Sequence, residues 1–333
     1  MRRVSRLLVA LALAALAMAT ASPAGAKAPG PNGQIAFSRP DPATGEPRIF
    51  IANPDGTHEH QLLLPLPGDG PVWSPDGGKV LVAVFRPEGS VRPAMVNADG
   101  SGFTVLDVPQ LPQDMDIGCR AWSPDATRLL CQAIRFEGDP SLNGIYTIRA
   151  ADGGGLTRLT VNPYPPEGEF GGGDIPGDFS PDGSRFVFMR AKPGADPNAR
   201  HQQGALFVAH TDGTGLRQLM PYGLANSHDN GLAHWSPDGR EILFASAQGS
   251  LFTIRPDGVG LRAIPLETGG GFSFAFTPGW SPDGTRIVFS LFLRTTGQVD
   301  IYTVRADGRQ VAQVTDTSDF EDLADWGPSP LAA

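Results

Sequence analysis

Short runs of alternating apolar and polar residues recur along the chain, among them Lys79-Val80-Leu81-Val82-Ala83-Val84, Arg185-Phe186-Val187-Phe188 and Arg286-Ile287-Val288-Phe289-Ser290. A period of two, carried by β-branched and aromatic side chains, predicts strands. Further runs follow after variable gaps: Ile145-Tyr146-Thr147-Ile148, Leu206-Phe207-Val208, Leu251-Phe252-Thr253-Ile254 and Ile301-Tyr302-Thr303-Val304. These lead into Asp152-Gly153, Asp212-Gly213, Asp257-Gly258 and Asp307-Gly308, a hairpin signal. Runs such as Leu156-Thr157-Arg158-Leu159-Thr160 and Leu216-Arg217-Gln218-Leu219-Met220 then predict one more short strand per unit.

Ahead of these runs stands Trp73-Ser74-Pro75-Asp76-Gly77, and near copies begin at Trp122, Phe179, Trp235, Trp280 and Trp326, spaced 49, 57, 56, 45 and 46 residues apart. Ser, Pro, Asp and Gly suit the four positions of a type I turn: a polar start, proline's fixed φ, a short side chain, then glycine. The spacing is that of a four-stranded propeller blade, ~40 to 50 residues. The pattern therefore predicts an all-β, six-bladed β-propeller of four-stranded antiparallel blades. Three departures stand out: Phe179 for tryptophan, Ala126 for glycine, and a last copy that reads Trp326-Gly327-Pro328-Ser329-Pro330.

The repeat resembles the WD40-like repeats of the TolB propeller family, whose units carry Trp-Ser-Pro-Asp-Gly, an Ile-Tyr-type strand, Asp-Gly and Leu-Thr. The likeness runs from about Gln34 onward. It implies the propeller and a protein-binding role. TolB also carries an αβ domain before its propeller, and no such domain fits ahead of Gln34, so whatever depends on that domain does not carry over.

The strands Gln34–Ser38, Arg48–Ala52 and His60–Leu64 have no tryptophan unit before them, while Leu323-Ala324-Asp325-Trp326 has no strands after it. The two ends are thus expected to share one blade, with the C-terminal strand innermost, leaving no open inner edge at the seam. The other blades are expected near residues 71–108, 119–161, 177–221, 232–266 and 277–315. The propeller would fill residues 34–330, after a linker at 27–33 and before a tail at 331–333.

Residues 1–26 have the three parts of a secretory signal peptide: Arg2, Arg3 and Arg6, the apolar run from Leu7 to Ala19, and small residues ending in Ala24-Gly25-Ala26. The run falls short of the ~20 residues of a membrane span, and no later stretch is long enough. Export to the periplasm or beyond is expected. Losing three arginines would take the formal charge from −9 to −12, which argues against a nucleic-acid partner and favours a basic one. The only cysteines, Cys119 and Cys131, flank the Trp122 turn. If Trp122 faces Arg128 across that hairpin, Cys119 faces Cys131, as a cross-strand disulfide or as two buried thiols.

Because strand direction alternates within a blade, the tight Pro-Asp-Gly and Asp-Gly turns fall on one face and the long connections on the other. Variable loops on a rigid scaffold are where binding usually sits, so the long-loop face is the candidate. The stretches that dive toward the axis carry Asp69, Asp114, Asp116, Asp174, Asp178, Asp229, Asp319, Glu321, Asp322 and Asp325. They read either as an acidic channel mouth that focuses a field on cations, whether a divalent ion or a partner's Lys and Arg, or as solvated loop acids. The aspartates of the Pro-Asp-Gly turns are explained by the turn itself.

Of the six histidines, His228 and His234 are the pair singled out, with Asp229 between them and the second abutting an innermost strand. A histidine just before the tryptophan turn also resembles a metal-binding position of oligogalacturonate-lyase propellers, although two histidines alone do not make a site. Phe272, Phe274 and Phe276 read as sugar-stacking rings or as a strand entering its blade. No Gly-x-Ser-x-Gly elbow is present, and no sialidase-type box.

Two functions follow. One is a non-catalytic scaffold, monomeric and without a cofactor, that binds an envelope or secreted protein or peptide. The other is a carbohydrate lyase or hydrolase with a metal near His228, Asp229 and His234.

Overall fold

The computed structural model describes residues 30–135, 139–162, 173–192, 203–224, 232–266 and 273–329. The segment read as a signal peptide and the tail at 331–333 lie outside them, as do His228, Asp229 and Phe272.

Six four-stranded antiparallel sheets follow one another around a ring. The first blade in sequence comprises β4 (Gly68–Trp73), β5 (Lys79–Phe85), β6 (Val91–Asn97) and β7 (Thr104–Val105). The second comprises β8 (Asp116–Trp122), β9 (Arg128–Ile134), β10 (Gly144–Arg149) and β11 (Thr157–Arg158), and the third β12 (Asp174–Phe179), β13 (Arg185–Lys192), β14 (Gln203–His210) and β15 (Arg217–Gln218). In the fourth are β16 (His234–Trp235), β17 (Ile242–Ala245), β18 (Leu251–Ile254) and β19 (Arg262–Ile264), and in the fifth β20 (Ser273–Trp280), β21 (Arg286–Leu293), β22 (Gln298–Arg305) and β23 (Ala312–Gln313). The closing blade joins the chain ends: β24 (Asp322–Pro328) is innermost, followed by β1 (Asn32–Pro40), β2 (Pro47–Ala52) and β3 (His60–Leu62).

The second strand of each blade is buried on both faces, as Phe186 to Ala191 are in β13, because every sheet is sandwiched between two others. The cores therefore lie between blades: Ala121, Leu130 and Ile145 of the second pack with Phe179, Phe186 and Phe188 of the third. The outermost strands run only two or three residues, which leaves little edge for unwanted pairing.

Each Pro-Asp-Gly turn is built as its residues demand. In the first, the Gly77 N–H donates to the Ser74 carbonyl at 2.9 Å and the Ser74 hydroxyl to Asp76 Oδ1 at 2.6 Å. Ala126 takes the glycine's left-handed conformation at φ 57°.

At the seam, Ile35 pairs with Trp326 and Ala36 with Asp325. The Trp326 indole N–H donates to the Gly33 carbonyl at 3.0 Å, and the Ser329 N–H to the Pro31 carbonyl at 2.8 Å. A Cβ on Gly327 would stand 2.4 Å from the Trp73 ring. The serine of the motif is missing here because the next blade's tryptophan packs onto that backbone.

The blades fall near their expected positions, with innermost strands that start three or four residues earlier, at Gly68, Asp116, Asp174 and Ser273, because pairing continues past a bulge. Asp69, Asp116 and Asp174 are therefore strand residues. One expectation needs correction. In the second blade Trp122 pairs with Leu129, not Arg128, and an extra residue at Arg120 resets the register so that Cys119 still faces Cys131. The two are joined in a buried disulfide.

Candidate functional site

The candidate site is the channel mouth on the long-loop side, where the inner strands start. Three of these strands share a backbone device. Gly70, Thr277 and Leu323, each three residues before the motif tryptophan, adopt left-handed φ of 60°, 45° and 55° within a bulge. For a β-branched residue such as Thr277 this costs on the order of 1–3 kcal/mol and persists only where the surroundings enforce it.

Asp322 supplies that enforcement. Its Oδ1 accepts from the Thr277 hydroxyl at 2.6 Å, the Ser290 hydroxyl at 3.1 Å and the Leu323 N–H. Burial pushes its pKa up to about 6 against those hydrogen bonds, and the charge of neighbouring Asp69 adds to the rise. Asp69 sits at the same repeat position on β4, where its Oδ1 accepts from the Gly70 N–H at 2.8 Å. A Cβ on Gly70 would lie 2.5 Å from Arg120 Nη1, which brings a guanidinium to the inner strands as well.

The other predicted acids are engaged in different ways. Asp325 is buried and accepts from the Trp73 backbone N–H of the next blade at 2.9 Å. Asp178 Oδ2 lies 3.8 Å from Nδ1 of His234, so this acid and histidine are brought together. Asp174 is buried against Arg190, which holds both of its oxygens at 2.6 and 2.7 Å. Asp116 faces Arg92 at 3.7 Å, and exposed Asp114 faces Arg135 at 2.8 Å. Glu321 is fully buried and accepts from Arg39 Nε at 2.6 Å. Among the described residues no group of three His, Cys, Asp or Glu side chains is arranged to hold a metal ion.

Sequence reasoning named Phe274 and Phe276, as sugar-stacking rings or as a strand entering its blade, but passed over Phe320 and the cations of this region. Phe276 is buried and Phe274 half-buried, with ring centroids 6.0 Å apart, and Phe276 lies 6.1 Å from Phe320, which is 52% exposed. Phe320 and Phe274 both stand six residues before the motif tryptophan, a repeat signal that could have found the pair. Arg39 and Arg190 carried no such signal, since their partners are distant in sequence.

Grooves between neighbouring blades open on the tight-turn face, with volumes of about 460, 600 and 520 Å³. Trp122, Phe179 and Trp280 stand in their walls.

No family model and no curated protein matches the chain. Solved structures do resemble it. TolB from Acinetobacter baumannii matches with a TM-score of 0.63 at 16% identity, over 89% of this chain and 67% of that one. A putative TolB from Agrobacterium tumefaciens gives 0.59 at 17%, over 90% and 99%. Hydrazine synthase from Kuenenia stuttgartiensis gives 0.65 at 15%, over 91% of this chain and 48% of that one, and a puromycin hydrolase gives 0.53 at 17%, over 88% and 49%. At such identities the likeness establishes the fold, a TolB-like six-bladed β-propeller, and fold alone does not carry activity.

Proposed function

We propose that this chain is an exported, non-catalytic propeller that binds an envelope or secreted protein or peptide, probing it with the long-loop face and the acidic channel mouth. The carrying observation is topological. The strand ends that lead into the second-to-third and fourth-to-first connections share one side of the ring, and there Asp69 and Asp322, at the starts of innermost strands, lie near enough for their charges to interact. The net charge of −9 favours a basic partner. The buried disulfide supports an oxidising compartment. The reading needs no cofactor.

Crosslinking in the native envelope tests it. The expected outcome is a partner joined through the long-loop face. No partner, or one joined only through the tight-turn face, sinks the reading. A second reading, a metal-dependent carbohydrate lyase or hydrolase, draws on the approach of Asp178 to His234. Metal analysis of the purified protein, followed by His234→Ala, separates the two: bound metal lost in the variant would favour the enzyme.

A further inference from the structure

Twice this molecule builds the same cassette: two phenylalanine rings, an arginine stacked on them, and carboxylates holding the arginine. In the closing blade the Arg39 guanidinium lies 4.3 Å from the Phe50 ring centroid and 5.4 Å from that of Phe37, between Glu59 and Glu321. In the third blade Arg190 lies 5.2 Å from Phe207 and 5.5 Å from Phe188, held by Asp174. Both combine cation–π attraction with charge-assisted hydrogen bonds.

A third pair of rings, Phe276 and Phe320, stands beside acids at the channel mouth. Phe320 follows Asp319 and stands two residues before Asp322, and Phe276 precedes the Thr277 whose hydroxyl binds Asp322. Among the described residues no arginine or lysine stacks on Phe320. The backbone that carries it is nevertheless held in place. The Thr317 N–H donates to Asp300 at 3.1 Å, the Gln298 amide to the Thr317 carbonyl at 2.7 Å, and the Thr317 hydroxyl to Glu321 at 2.9 Å. Phe320 itself bridges to Val299. An exposed ring on a fixed backbone, resting against Phe276, loses little freedom when a partner binds it.

We infer that Phe320 and Phe276, with Asp319 and Asp322, receive an arginine side chain of the partner and complete the cassette from outside. This rests on the peptide-binding reading and names the group recognised. The guanidinium stacks on the open face of Phe320 while the carboxylates supply its counter-charge.

The test is selection of a displayed random dodecapeptide library on the full-length protein, followed by titration of a labelled selected peptide. Arginine-containing sequences are expected. Phe320→Ala should weaken their binding at least tenfold with an unchanged circular dichroism spectrum. Replacing the peptide's arginine by citrulline should weaken wild type strongly and Phe320→Ala hardly further. Asp319→Asn should cost a few-fold and flatten the salt dependence. No enrichment, enrichment without arginine, or equal binding to Phe320→Ala would overturn the inference. A native partner crosslinked to the long-loop face, yet indifferent to Phe320→Ala, would remove this inference and leave the binding reading standing.

Discussion

The two faces of the ring are held by different kinds of contact. On the tight-turn face one arrangement is repeated, with Ser74, Ser123, Ser180, Ser236 and Ser281 each donating to the aspartate two residues on. On the long-loop side repetition is partial: an arginine held by carboxylates over phenylalanine rings occurs in two blades, Arg39 with Glu321 and Arg190 with Asp174, while Asp322 with Thr277 and Ser290 is a different arrangement. Repetition builds the scaffold, and the individual contacts set the shape that a partner would meet.

The contrast can be broken most severely at Arg39. Arg39→Ala leaves Glu321 buried without its cation and should cost about 3–5 kcal/mol in denaturant unfolding. The same substitution at a tight turn, Arg240→Ala, should change stability by less than about 0.5 kcal/mol, since Arg240 is 84% exposed on its side chain. Next comes Gly327→Ala, which drives a methyl group into the Trp73 ring and should cost about 1–3 kcal/mol.

The faces should also differ in the sign of their pH dependence. The Ser74 hydroxyl and nearby backbone N–H groups hold the Asp76 carboxyl below its usual value. In Asp125, Asp182, Asp238 and Asp283 burial pushes upward, but the same kinds of hydrogen bond outweigh it. Their stabilisation is present above the unfolded value near 4 and is lost as pH falls. Asp322 runs the other way: with a folded pKa of about 6, its contribution is present below about pH 4 and lost as pH rises through 6. Asp322→Asn should therefore gain on wild type between pH 4 and 7, by on the order of 1–2 kcal/mol once partial exposure is discounted. A constant difference across that range in urea titrations would contradict the assignment. A small effect is also expected at Ala126→Gly. Relief of the left-handed alanine is partly offset by glycine's greater unfolded entropy, leaving a gain of up to about 1 kcal/mol.

What the sequence disclosed follows the same division. The turn copies, the Asp-Gly hairpins and the unmatched Trp326 made six blades and the shared seam readable, because local turn chemistry repeats. The acids of the mouth were visible as residues but not in their roles. Asp174 and Glu321 find arginines 16 and 282 residues away, and no local pattern encodes such partners. The left-handed Thr277 was likewise hidden, since a β-branched residue is the last expected at positive φ. Phe320 lay within reach, had the repeat been extended six residues upstream of each tryptophan.

The division into two faces depends on the chain ends sharing a blade, and hydrogen exchange on the full chain and on a chain ending at Thr317 tests this directly. Without β24, protection should fall in all six blades together and the melting temperature should drop. An unchanged melting temperature, with protection lost only around residues 30–62, would contradict the account.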